Sequence, residues 1–142
     1  MMPKEYLSQI RHLTHRINRY TRERDQLLEL ATKPASNSFE SHYNPNRKTD
    51  APFVKFVDKA NDLDAMIQED KKLLLALTDR ITGLILELED PDERYLLLLR
   101  YIKLASWEQI AVDLNYSISW IYKLHGRALQ SFQKKIVEDS QG

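Results

Sequence analysis

Apolar residues recur at helical spacing along most of this chain. Residues 52 to 88 carry Phe53, Phe56, Ala60, Leu63, Ile67, Asp70, Leu74, Leu77, Ile81, Leu84 and Leu88 at alternating steps of three and four, an a/d heptad seam broken only by Asp70. A polar residue there costs stability; it either fixes register or faces solvent at a local splay. Residues 4 to 31 repeat the pattern over Tyr6, Ile10, Leu13, Ile17, Tyr20, Arg24, Leu27 and Ala31, with Arg24 the odd member. Two long helices are expected, and in an antiparallel pair Arg24 and Asp70 could meet. The stretch between them, Thr32 to Pro52, holds three prolines, four Asn/Asp and four Ser/Thr beyond Thr32, the composition of a loop or disordered linker. Its length allows the helices to fold back on each other or to pair with a second chain.

The last third carries a different pattern. Glu89-Asp90-Pro91-Asp92-Glu93 suits a helix start, with Pro91 at the first helical position and acids around it, a capping cluster rather than a metal or catalytic site. Arg94 to Lys103 is strongly apolar, and Tyr95, Leu96, Leu98, Leu99 and Ile102 are expected to pack beneath the helices C-terminal to them. Ser106 stands three residues before Gln109, a capping-box spacing that starts a helix at Trp107. Ile110, Ala111 and Leu114 give that helix its buried face. Asn115 and Tyr116 break the pattern, and Ser117 is a good N-cap for a further helix. There Ile121, Leu124, Ala128 and Phe132 recur at helical spacing, leaving Ser119, Trp120, Tyr122, Lys123 and Arg127 outward.

A short helix packed across a longer, exposed, cationic one is the geometry that enters a DNA major groove. The plainer alternative is a helical hairpin with a solvated face. The fold class expected is all-α: residues 1–88 as a helical hairpin or coiled coil with a loop at 32–52, and 89–142 as a helix-turn-helix module. Ser119, Trp120 and Lys123 lie where such helices meet base edges, while Ser117 caps the helix and offers a backbone N–H to a phosphate. Tyr122 and Arg127 point toward flanking phosphates, joined by Lys134 and Lys135 if the helix runs that far. Trp120 has two open roles, contact with a thymine methyl or packing against Trp107.

Charge changes the picture more than composition does. The formal net charge is zero over 142 residues, unlike a non-specific nucleic-acid binder. Residues 1 to 33 hold seven Lys/Arg against four Asp/Glu, 34 to 88 seven against nine, and 89 to 142 seven against eight. Yet 117 to 137 contain Lys123, Arg127, Lys134 and Lys135 and no acid. Such segregation suits a module that turns one face to phosphate. With so few cations a monomer binds DNA weakly, so a homodimer through the heptad helices, or a partner, is the expected remedy. Scarce Gly (3) and Pro (5) favour helix, and the absence of Cys excludes disulfides and thiol chemistry. The chain opens without an apolar signal-like run, and no uninterrupted apolar stretch exceeds the five residues of Tyr95 to Leu99, far too few to span a bilayer, so no membrane association is expected. His12, His15, His42 and His125 are dispersed and the glycines isolated. Neither a catalytic site, a metal site nor a cofactor is expected; His125, inside the helix expected to face the groove, is assigned phosphate contact or packing.

From Asp92 to Phe132 the chain resembles region four of sigma-seventy-type transcription factors. The matching features are Arg100-Tyr101 closing one helix, Glu108-Gln109-Ile110-Ala111 in the next, Ser117 opening the recognition helix, and Arg127-Ala128 near its end. Gln109 departs from the Glu common in that module. The whole chain is similar to a family of small phage proteins related to the ArpU and RinA late-transcription regulators, through Tyr6 to Leu13, Asp62 to Ile67 and Leu124 to Leu129. The resemblance implies double-stranded DNA binding and regulation of late or packaging genes in the cytoplasm of a bacterial host. A protein of another class remains open: one whose sigma-like module docks on host RNA polymerase or another phage protein.

Overall fold

The computed structural model describes residues 2–32 and 50–141, which form five helices and no strand. They are α1 (Pro3–Thr32), α2 (Asp50–Leu86), α3 (Pro91–Leu97), α4 (Trp107–Leu114) and α5 (Ile118–Gln141), with a π-helical turn, Leu98–Ile102, continuing α3. The all-α class is therefore as expected. The linker expected at 32–52 is trimmed at both ends, since Thr32 closes α1 and Asp50 opens α2; residues 33–49, His42 among them, lie outside the described residues. No helix among the described residues is long and apolar enough to cross a membrane.

Packing divides the chain into two compact units, a larger one of Met1–Thr14 with Leu73–Gly142 and a smaller one of His15–Lys72. In the smaller unit α1 and α2 run antiparallel, because pairs with rising numbers on one helix and falling numbers on the other meet. Arg16 donates to both carboxylate oxygens of Asp70 at 2.8 and 2.9 Å, and Arg24 donates to Asp64 at 2.7 Å. Ile17, Ala31, Ala60 and Ile67 are buried there. The seam pairing expected between Arg24 and Asp70 is thus replaced: each ion finds a partner one to two turns further along. Asp70 does not face solvent at a splay; its side chain is 13% exposed and held by the Arg16 fork. Phe53, the first seam residue, is 47% exposed.

The larger unit is built on one apolar core. Leu7 and Ile10 of α1, Ile81, Leu84 and Ile85 of α2, Leu96 and Leu97 of α3, Tyr101, Ile110 of α4, and Ile121, Leu124, Ala128 and Phe132 of α5 close on one another. Removing a side chain of this size from water stabilises by roughly 1.5–3 kcal/mol each. Arg80 on α2 donates to the Tyr6 hydroxyl at 2.8 Å and pairs with Asp139, tying α1, α2 and the end of α5 together. In both units buried residues of the expected seam pack within one chain, Ala60 and Ile67 in the smaller and Ile81, Leu84 and Leu88 in the larger.

Asp90 caps α3, its carboxylate accepting from the Asp92 and Glu93 N–H groups at 2.8 and 3.3 Å, with Pro91 at the first position as expected. Leu96, Leu98, Leu99 and Ile102 pack on the core as expected, but Tyr95 does not. Leu96, Leu97 and Tyr101 are buried, whereas Tyr95 is 45% exposed. In the π-helical turn the Lys103 N–H reaches back five residues to the Leu98 carbonyl at 2.9 Å. Leu104 then adopts φ 58, a left-handed conformation uncommon for a leucine, and reverses the chain into α4.

Candidate nucleic-acid interface

The geometry of α4 and α5 is set by their ends. The Ser106 hydroxyl accepts from the Gln109 N–H at 3.2 Å and the Gln109 side chain accepts from the Ser106 N–H at 3.1 Å, the reciprocal box expected from the spacing. At the far end Asn115 takes φ 59 and ψ 43, a conformation its side chain tolerates better than most. Asn115 N–H bonds the Val112 carbonyl at 3.2 Å and Tyr116 N–H the Ala111 carbonyl at 3.0 Å, a Schellman-type stop. Ser117 restarts the helix at once: its hydroxyl accepts from the Trp120 N–H at 3.1 Å. So short a turn fixes α5 against α4 through Ile110, Ile121 and Leu124.

Burial of Ile121, Leu124, Ala128 and Phe132 turns the opposite face of α5 outward. Ser117, Ser119, Trp120, Tyr122, Lys123 and Arg127 are all exposed, in keeping with the sequence pattern. Neither Lys123 nor Arg127 meets a carboxylate among the described residues. Lys134 and Lys135 do not extend that face. They line a groove of about 390 Å³ with Glu89, Asp90, Glu93 and Glu138, and the Lys135 ammonium stands 3.5 Å from Glu138.

The two tryptophans do not pack together. Trp120 meets Tyr116 edge-on, ring centres 6.3 Å apart, and Tyr116 in turn donates its hydroxyl to Asp92 at 2.6 Å. That bond and the Asp92 charge hold the Tyr116 pKa above its ordinary value. Trp107 instead sits at the centre of a cluster. Its ring meets Tyr122 and His125 edge-on, at 5.4 and 4.7 Å between centres, and the Arg100 guanidinium lies 4.2 Å above it.

His125 proves to be a packing residue. Its Nε2 is 2.7 Å from the Tyr101 hydroxyl, and burial, then Lys4 and Arg100, push its pKa down to about 4. At neutral pH it carries no charge for a phosphate. Burial likewise pushes the Tyr101 hydroxyl up. Arg100, beside them, donates to the Ala105 carbonyl at 3.1 Å; burial lowers its pKa, and the nearby Arg11 lowers it further.

The arrangement therefore has two parts, the α5 face foreseen from sequence and a cationic flank that sequence reasoning missed. From sequence, Arg100 and Trp107 read only as helix ends, and Lys4 and Arg11 as parts of an unremarkable helix. Their one sequence signal is the seven-residue spacing of Lys4 and Arg11, which places both on one face of α1. That α1 packs through Leu7 and Ile10 onto the core that holds Tyr101 is a tertiary fact.

Residues 32–133 match the model of a family described as protein of unknown function, DUF1492. The chain belongs to that family. The matched stretch runs from the last residue of α1 through α2, α3 and α4 and most of α5, so the outward face of α5 from Ser117 to Arg127 lies wholly inside it. No curated protein matches, and no solved structure matches. Among the described residues no group of three or more His, Asp or Glu is placed to hold a metal ion.

Proposed function

We propose that this DUF1492 member is a sequence-specific, double-stranded DNA-binding regulator of transcription, phage-encoded and acting on late or packaging genes in the bacterial cytoplasm, with no enzymatic step of its own. The observation that carries the reading is the outward face of α5. A helix capped by Ser117 and braced by α4 presents Ser119, Trp120, Tyr122, Lys123 and Arg127 to solvent with no acid on that face. The helix pair, its tight turn and the Arg100-Tyr101 and Arg127-Ala128 positions support likeness to sigma region four and to the ArpU/RinA-type regulators. In such a module the first turns of the second helix lie in the major groove, where Ser119 and Lys123 reach base edges. The Ser117 N–H and Arg127 take flanking phosphates.

A second reading has one observation behind it. Leu99, Ala105 and Val112 line a shallow groove of about 480 Å³ beside α4, with Glu108, Asp113 and Lys103 at its margin, and Val112 is 78% exposed. An apolar strip with charged edges suits a protein partner such as host RNA polymerase.

Selection from sheared genomic DNA of phage and host separates the two. The parent protein is run beside Lys123→Ala/Arg127→Ala of matching helicity. Recovery of one discrete site by the parent alone supports the regulator. Absence of enrichment with a folded parent refutes it and turns attention to the α4 groove.

A further inference from the structure

An indole at the exposed start of a helix can ordinarily turn among several rotamers. Trp120, in the first turn of α5, is held instead, and only 38% of it is exposed. Its ring meets Tyr116 edge-on at 71° with centres 6.3 Å apart, the arrangement of a favourable aromatic pair. Its backbone is fixed too, through the N–H that the Ser117 hydroxyl accepts. The other place open to it, against Trp107, is taken, since Trp107 packs on Tyr122, His125 and Arg100.

Tyr116 is itself tied twice. Its N–H closes the α4 stop on the Ala111 carbonyl at 3.0 Å, and its hydroxyl donates to the Asp92 carboxylate at 2.6 Å. A short bond to a charged acceptor is of the stronger kind. Asp92 lies in the first turn of α3, whose Leu96 and Leu97 are fully buried in the core. A line of contacts therefore runs from core-anchored α3 through Tyr116 to the indole. Water competes for a hydrogen bond made at the surface, so this one adds little to stability. What it does is keep one exposed ring in one place.

We propose that Trp120 is a specificity-determining residue that reads the 5-methyl group of one thymine, and that Tyr116 and Asp92 are positioning residues that set its ring. The inference rests on the DNA-binding reading above and adds the kind of base pair the site demands. In the major groove a thymine offers an apolar methyl beside its acceptor, and an indole matches the methyl. The first turn of α5 is where helices of this type meet base edges. Setting the ring beforehand matters, because a side chain that must be immobilised on binding offsets part of the affinity it contributes.

The test isolates the methyl. A random duplex library is enriched on the full-length parent, and the recovered site is resynthesised with uracil for thymine, one position at a time. Uracil keeps the pairing and the O4 acceptor and lacks only the methyl. The parent should favour thymine at one position by about fourfold, the worth of one buried methyl. Trp120→Ala should lose that ratio and keep the parent's salt slope, since no phosphate contact is removed. Tyr116→Phe, which keeps the ring, and Asp92→Ala should each bring the ratio toward one. Asp92→Asn, which still accepts the hydroxyl, should restore it. The ratio compares two duplexes on the same folded protein, so a loss of stability alone does not move it. The parent's ratio in both Tyr116→Phe and Asp92→Ala overturns the positioning role. The parent's ratio in Trp120→Ala, or no thymine preference in the parent, overturns the reader and leaves the DNA-binding reading standing. No enrichment by the folded parent overturns both.

Discussion

The two units treat a half-buried arginine in opposite ways. In the smaller unit Arg16 and Arg24 each close on a carboxylate of the facing helix, Asp70 and Asp64. In the larger unit Arg11 and Arg100 face none, and the α5 cations Lys123 and Arg127 stand free of carboxylates among the described residues. An ion pair across two helices spends charge on register. An unpaired guanidinium braced on an indole keeps its charge for something that arrives. The difference teaches where to look for a ligand: not where charge is densest, but where the fold has shielded an arginine and given it no acid.

The comparison depends first on the core that supports the cationic side. Phe132 is fully buried and meets Tyr6 with ring centres 6.0 Å apart. Phe132→Ala should cost about 3–5 kcal/mol in denaturant unfolding. Binding and helicity should then disappear together.

Sharper is a crossed pair of variants. Lys123→Ala/Arg127→Ala should weaken duplex binding by at least about tenfold with an unchanged melt, since neither side chain holds a structural partner among the described residues. Arg16→Ala/Arg24→Ala should do the reverse, lowering the melting temperature while the folded fraction binds as before. Equal effects of the two on binding would erase the distinction between the units.

The pH dependence of stability, compared between the parent and a His125 variant, probes the shielded side. Folded His125 takes a proton only near pH 4, whereas the unfolded residue takes one near 6.5. Between those values the unfolded state binds more protons, so stability is full above pH 6.5 and falls as pH drops toward 4. His125→Gln should flatten that limb of a melting curve. A steeper fall in the variant would mean that the residue is charged in the fold.

The smallest expected effect is also the most discriminating. Gly83 and Gly126 are both helical, and a Cβ added at either meets nothing within 4 Å. Alanine at either should stabilise by about 0.5–1 kcal/mol, the helix cost of glycine. Gly126 shares the outward side of α5 with Ser119 and Lys123, and Gly83 lies on α2 far along the chain from it. Only Gly126→Ala should therefore combine a higher melting temperature with weaker DNA binding.

What the sequence discloses is local. The Ser106–Gln109 box, the Ser117 cap, the Asp90-Pro91 start and the buried stripe of α5 all arise from residue type and spacing over a few positions. What it conceals is phase and partnership. Tyr95 to Leu99 is apolar on all sides, so periodicity cannot choose a face; it favours Tyr95, where the fold buries Leu97. Leu7 and Ile85 escape the pattern for a related reason: a strict heptad series admits one residue per step, whereas the larger unit buries a broader face. Arg24 and Asp70 suggest themselves as a pair because both interrupt a seam. Register, which no one-dimensional pattern gives, joins Arg24 to Asp64 and Arg16 to Asp70 instead.

Amide hydrogen exchange of the full chain, with and without saturating duplex DNA, tests the contrast between the units most directly. The expected result is slowed exchange across Ser117 to Arg127 and the π-helical turn, with His15 to Lys72 unchanged beyond any general stabilisation. Protection concentrated in His15 to Lys72, or none anywhere under conditions of binding, would contradict the account.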